Sequence, residues 1–122
     1  MRVAELTVDE QESEYGPVIV VSGELDLTTV GILRDPLLSQ ASKCDGGNLI
    51  VDISKVEFID SAGLALLVEA RKRLATESRS LAILLATGRQ PERVLKLVRF
   101  DTIMKLGYDL SELAAMDAPA AQ

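Results

Sequence analysis

The order of hydrophobic periods in this 122-residue chain predicts an α/β fold, a mixed sheet of four or five strands with helices packed on it. Three observations carry that prediction. Two strand-like segments lie close together near the start, Val3 to Val8 and Val18 to Val21, and are expected to pair as an antiparallel hairpin. Two short apolar runs follow, Leu49 to Ile53 with three β-branched residues and Leu81 to Leu85, each leading into a helix-period segment. Strands that alternate with helices in this way build the parallel part of a sheet through right-handed crossovers.

Each element has a local reason. In Val3 to Val8 the apolar residues Ala4, Leu6 and Val8 alternate with Glu5 and Thr7, the period of a half-exposed strand near a sheet edge. Asp9 to Gly16 reads as an acidic connection closed by Gly16-Pro17, and Val18 to Val21 as a fully apolar strand. Gly23-Glu24-Leu25-Asp26 leaves that strand, with Asp26, Thr28 and Thr29 as candidate helix caps. Val30, Leu33, Leu37 and Ala41 fit one helix face, interrupted by Gly31 and Pro36. Either that helix kinks, or Asp35 caps a second start with Pro36 in its first turn. Asp45-Gly46-Gly47 is expected to end it.

The strand Leu49 to Ile53 comes next, then a polar loop, then a helix from about Ala62 to Glu77 on which Leu64, Leu67 and Val68 recur at i, i+3 and i+4. Glu69 and Arg73 form an i,i+4 pair on its charged face. After the strand Leu81 to Leu85, Thr87-Gly88 turns the chain into a short helix, Pro91 to Val98, with Val94, Leu95 and Val98 inward. Ile103 to Leu106 reads as a last short strand, and Asp109-Leu110-Ser111-Glu112 as a capping-box start to a helix ending near Ala115. One domain over residues 1–116 is expected, with residues 117–122 as a frayed Ala/Pro-rich tail.

Composition narrows the function. Aromatic residues make up 3% of the chain and Trp is absent, so the stacking platforms of single-stranded nucleic-acid binders are missing. A net charge of −6 disfavours a phosphate-backbone partner. Residues 1–60 hold 12 acids against 4 bases, and residues 61–122 hold 7 against 9, which hints at an acidic face. The lone Cys44 has no internal disulfide partner and fits a reducing cytosol. No apolar run reaches a membrane span, and no signal peptide opens the chain, so a cytoplasmic protein without a membrane partner is expected.

The chemistry-bearing candidate is the junction Asp60-Ser61-Ala62-Gly63-Leu64, where a strand passes into a helix. Asp60 and Ser61 stand where side-chain oxygens accept from the first free backbone N–H groups. A serine hydroxyl at the positive end of a helix dipole is a favourable place for a phosphate, although serine there can equally be a cap and nothing more. Gly63, in the first turn, is expected to permit close approach to a partner or to the neighbouring strand. If Val18–Val21 and Leu49–Ile53 are parallel neighbours, Asp26 and Ser61 share one end of the sheet. Catalysis has little support: the chain has no His, no G-x-S-x-G elbow around Ser61 and no Walker loop. Lys55 reads as solvated and the Arg71-Lys72-Arg73 run as a solvated helix face. Asp26, Asp52 and Asp60 have no metal-site spacing, and Asp52 reads as a hydrogen-bonded residue at its strand's end. No metal and no cofactor are expected.

Gly23-Glu24-Leu25-Asp26, the stretch from Val51-Asp52-Ile53 through Phe58-Ile59-Asp60-Ser61-Ala62-Gly63-Leu64, and the order of elements together resemble the STAS-domain proteins of the anti-sigma-factor antagonist family. The resemblance covers roughly Val3 to Leu113. It implies a STAS-like fold and places Ser61 on the family's phosphorylated serine, with Asp60 on the acid before it. It implies partner contact by Asp60, Ser61, Ala62, Gly63 and Leu64, and by Asp26 and Thr28 beside the family's other contacting loop. Ala62 departs from the Ser or Thr common at that position, which leaves Ser61 as the one hydroxyl at the helix start. The implied function is an anti-sigma factor antagonist that is no enzyme. Unphosphorylated, it would bind an anti-sigma factor with serine kinase activity and release a sigma factor, and a serine phosphatase would reset it. The alternatives are a STAS subunit docked constitutively onto a transport or sensory assembly, or a small hydrolase using Ser61.

Overall fold

Five strands make one sheet in chain order: β1 (Leu6–Ser13), β2 (Gly16–Leu25), β3 (Asn48–Ile59), β4 (Ser80–Leu84) and β5 (Lys105–Gly107). β1 pairs antiparallel with β2, while β2 through β5 run parallel. The helices are α1 (Val30–Ala41), α2 (Ser61–Thr76), α3 (Gln90–Leu97) and α4 (Leu110–Ala115), with a 3-10 turn at Phe100–Thr102. The structure, a computed structural model, describes residues 4–43 and 47–119. Val3, Cys44, Asp45, Gly46 and the last residues of the expected tail lie outside that range. The mixed α/β sheet with its opening hairpin is the fold the hydrophobic periods predict.

Leu33, Leu37, Leu66, Leu67, Leu74 and Leu95 from the first three helices pack with Ile19, Val21, Val51, Ile53 and Ile83 on one face of the sheet. Val18, Ile50 and Ala82 point to the other face, where α4 covers them with Leu113. Arg34 reaches from α1 to Glu69 of α2 in a bidentate pair at 2.8 and 2.7 Å, and Arg73 adds the expected i,i+4 contact at 3.9 Å.

Several boundaries differ from the sequence reading. Asp9 to Ser13 is strand rather than connection, because Ser13 pairs with Gly16 across a tight turn at Glu14-Tyr15. Its side chains face solvent beyond the core, so no apolar alternation marks it. β3 continues to Ile59 where a polar loop was expected, so Lys55 lies on a strand. β4 stops pairing at Asp52↔Leu84, whereas β2 accompanies β3 as far as Leu25↔Ile59. Register shifts between Val20 and Ser22 and between Gly23 and Glu24 put extra residues into β3. They change the phase so that Val51, Ile53, Val56 and Ile59 are all buried. Asp52 sits at the first shift and accepts from the Ser54 N–H at 2.9 Å and its hydroxyl at 2.6 Å. At the second, Gly23 has φ +108°, and a Cβ there would lie 2.1 Å from the Glu5 carbonyl oxygen.

α1 is one helix running through Pro36. Proline leaves the Ile32 carbonyl without its i+4 donor, and Ile32 is 53% exposed, so water can replace the missing bond. α2 buries Gly63, Leu66, Leu67, Ala70 and Leu74, a face rotated from the expected Leu64, Leu67 and Val68, which are half-buried apart from Leu67. Val98 is 44% exposed rather than inward, because α3 ends at Leu97. The last strand starts at Lys105 rather than Ile103. At α4 Asp109 caps the Glu112 N–H at 2.8 Å, but the Glu112 carboxylate accepts from Tyr108 N–H at 2.6 Å, one residue before the reciprocal box position.

Candidate functional site

The parallel pairing of β2 with β3 ends at Leu25↔Ile59, and the Asp60 N–H donates to the Leu25 carbonyl at 3.2 Å. The chain therefore leaves both strands at one place, which brings Asp26 and Ser61 to the same end of the sheet. Asp60 has extended φ/ψ (−112°, −171°) and is the N-cap of α2. Its Oδ1 accepts from Ala62 N–H at 2.9 Å and Gly63 N–H at 3.3 Å. Its Oδ2 accepts from Leu27 N–H at 3.2 Å, in the loop after β2. One carboxylate thus holds a helix start and a neighbouring loop together.

Capping by Asp60 releases Ser61. It occupies the first helical position, is exposed, and its hydroxyl takes no hydrogen bond among the described residues. Ala62 and Leu64 are half-buried, and Leu64 packs against the main core. Gly63 is buried, and a Cβ on it would lie 2.7 Å from Ile59 Cγ1 and 2.9 Å from Leu25 Cγ. Its close approach is to the protein's own strands, one of the two alternatives the sequence left open. Removing the Cβ lets the helix start lie against the ends of β2 and β3.

The Asp26 loop is held from within. Asp26 Oδ1 accepts from Thr28 N–H at 2.9 Å, Thr28 hydroxyl at 2.7 Å and Thr29 N–H at 3.2 Å. The Thr28 hydroxyl bond holds the Asp26 carboxyl below its ordinary range; burial, the next largest influence, pushes the other way, and the remaining Thr28 and Thr29 donors add to the lowering. Thr29 is the N-cap of α1 but makes no side-chain cap bond. Its buried hydroxyl donates to the Glu24 carbonyl at 2.7 Å and accepts from Asp26 N–H at 3.0 Å. Thr28 is exposed beside Leu27, which is 76% exposed.

Two residues of this corner escaped sequence reasoning. Gln90, at the start of α3, accepts from Ile59 N–H and donates to Ile59 carbonyl, both at 2.9 Å. Its amide completes the edge of β3 where β4 has ended and fixes the residue before Asp60. Nothing in the local sequence marks it, since the contact spans 31 residues. Leu27 lies between two candidate residues, but its exposure is a tertiary fact.

The corner fixes its own backbone and displays the Ser61 and Leu27 side chains. Among the described residues no three His, Cys, Asp or Glu side chains cluster as metal ligands, and no base touches the Ser61 hydroxyl. Among the described residues, no helix is long and apolar enough to cross a membrane.

A family model described as "Mlab, STAS domain" matches residues 8–107. Among solved structures, an anti-sigma factor antagonist from Mycobacterium paratuberculosis superimposes with a TM-score of 0.74 at 25% identity, over 89% of this chain and 91% of that one. An anti-sigma-factor antagonist (STAS) domain protein from Planctomyces limnophilus gives 0.74 at 18% identity, over 88% and 94%. The Bacillus cell fate determinant SpoIIAA in its phosphorylated form gives 0.60 at 19% identity, over 84% and 93%. The last two likenesses are of fold.

Proposed function

The chain belongs to the STAS domain family, and from that premise we propose that it is an anti-sigma factor antagonist switched by phosphorylation of Ser61. The observation that carries this reading is the Ser61 hydroxyl, exposed and without a hydrogen bond among the described residues at the first position of α2, while Asp60 does the capping. The resemblance of the Asp60–Leu64 segment to the antagonists' phosphorylated junction supports it. Unphosphorylated, the corner formed by Asp26, Thr28 and Asp60–Leu64 binds an anti-sigma factor with serine kinase activity, and a sigma factor is released. The kinase supplies ATP, metal and the phosphoryl chemistry. A serine phosphatase restores the hydroxyl. This chain is the substrate of both reactions and the enzyme of neither.

Phosphate adds about −1.5 to −2 charges and a tetrahedral group at an exposed hydroxyl within the contact surface. A partner surface shaped to a neutral hydroxyl must then make room for the group and strip water from its charge. A cost of only about 1.4 kcal/mol is already tenfold in affinity. The test is to incubate the protein with a purified serine-kinase anti-sigma factor and ATP, locate the phosphate by mass spectrometry, and titrate both forms by calorimetry. Phosphate on Ser61 and at least about tenfold weaker binding, with little change in melting temperature, are expected. Ser61→Ala should bind and never switch off. Equal affinity of the two forms, or a loss that tracks unfolding by circular dichroism, defeats the reading.

One observation favours constitutive docking onto a larger assembly instead. The Ala62 and Gly63 N–H groups that would receive a phosphate are already bonded to Asp60. Under that reading Ser61 is a contact only, no kinase modifies it, and Ser61→Asp binds as the wild type does.

A further inference from the structure

Leu27 is a large apolar side chain held out in water by a fixed backbone. It is 76% exposed, and of the exposed large hydrophobic residues among those described only Leu97, at 81%, is more so. An isolated exposed leucine is ordinary. Leu97 is such a case, at the opposite end of α3 from Gln90, the residue that bonds Ile59. Leu27 differs because its N–H is held by Asp60 across the corner at 3.2 Å, while Asp26, Thr28 and Thr29 on either side are bonded to one another. Such a side chain is presented without the ordering cost that a mobile loop brings to binding. Phe58, 43% exposed near the end of β3, and Ile32, 53% exposed in the first turn of α1, lie at the same end of the sheet. The carboxylates beside Leu27 belong to Asp26 and Asp60, and both accept only from neutral backbone or hydroxyl donors.

We propose that Leu27 is the apolar anchor by which this corner holds its protein partner, seated in a partner pocket that is apolar at its base and rimmed by Lys or Arg. The inference rests on the reading of the corner as a partner surface and adds the residue that supplies its affinity. Apolar anchors fill partner pockets at the centre of an interface, while surrounding polar contacts exclude water. Here Asp26 and Asp60 supply that rim and the charge that selects a basic partner, and Leu27 supplies the buried area.

The experiment places a benzophenone amino acid at position 27, and separately at position 97, of the full chain in its native cells, and identifies the adducts by mass spectrometry. The protein captured at position 27 is purified and titrated against wild type, Leu27→Ala and Leu27→Met. The expected result is an adduct with another protein at position 27, binding at least about tenfold weaker for Leu27→Ala, and recovery to within about threefold for Leu27→Met. The melting temperatures should coincide, since the side chain has almost no packing to lose. No adduct at position 27, an adduct only with a second copy of this chain, or undiminished binding by Leu27→Ala overturns the proposal. If the captured protein has no kinase activity and leaves Ser61 unmodified while the Leu27→Ala loss stands, the phosphorylation reading fails and the anchor survives.

Discussion

Two corners at the same end of the sheet use one carboxylate each to tie loops together, and they use it differently. At the ends of β2 and β3, Asp60 accepts from three backbone N–H groups, those of Leu27, Ala62 and Gly63. At the ends of β4 and β5, Glu92 accepts from Gly88 N–H at 2.8 Å, from the Tyr108 hydroxyl at 2.5 Å and from Lys96 at 3.4 Å. Lys96 in turn lies 5.2 Å from the centre of the Tyr108 ring. The first corner fixes backbone and leaves Ser61 and Leu27 free in solvent. The second takes up the side chains themselves in one another. A binding surface needs the first arrangement, and a clasp between α3 and the loop after β5 needs only the second.

The comparison breaks most sharply at Gly63. With a Cβ 2.7 Å from Ile59 and 2.9 Å from Leu25, Gly63→Ala should destabilise the domain by about 1–3 kcal/mol through overpacking, and Gly63→Leu by more. Urea unfolding measures this. Because Ala is the better helix former by about 1 kcal/mol, an unchanged or raised midpoint would show that the corner has room to spare.

Next in size is the carboxylate itself. Asp60→Ala removes the N-cap of a 16-residue helix and should cost about 1–2 kcal/mol. Glu92→Ala removes an acceptor from one loop N–H and two side-chain donors but caps no helix, and should shift the melting temperature less. Equal shifts would erase the distinction between the two corners.

Acid titration should sharpen it further. The Thr28 hydroxyl holds the Asp26 carboxyl below its reference value of 3.8, and the Tyr108 hydroxyl holds Glu92 below 4.5. A depressed folded pKa means that the contribution is complete above the unfolded value and is lost as pH falls through the folded one. Amide-exchange protection of Thr28 and Thr29 should therefore persist below pH 3.8, and that of Gly88 below pH 4.5. Loss above those values would contradict the bonding described.

The smallest expected effect on stability is that of Asp26→Asn, because the Asn oxygen can accept from the same Thr28 and Thr29 donors. Calorimetric titration with the partner should nonetheless show weaker binding, from the lost charge. Unchanged binding would make Asp26 a loop brace alone.

The candidate site was legible to the extent that it is local. Asp60-Ser61 before a helical period marks a cap by one residue or the other, and Asp26, Thr28 and Thr29 mark candidate caps for the helix after β2. Proximity of the two was conditional on parallel pairing of their strands, which the register supplies. The misreadings have separate causes. Asp9–Ser13 is a strand without apolar alternation because its side chains lie beyond the core, and Ser54–Phe58 is one because two register shifts break the period around the buried Val56. The buried face of α2 was misplaced because it runs through Gly63 and Ala70, which carry little hydrophobic signal beside Leu64 and Val68.

What the sequence determined by itself was therefore the order and type of elements and the Asp60-Ser61 pair at a helix start, set by side chains acting within a few residues; that Asp60 is the one that caps came with the structure. The tertiary structure decided which cap oxygen reaches Leu27, why Gly63 must lack a side chain, and how Gln90 closes the edge of β3. Those contacts join residues 31 or more apart, or depend on two register shifts in one strand. Such distances are created by folding, and no pattern along the chain encodes them locally.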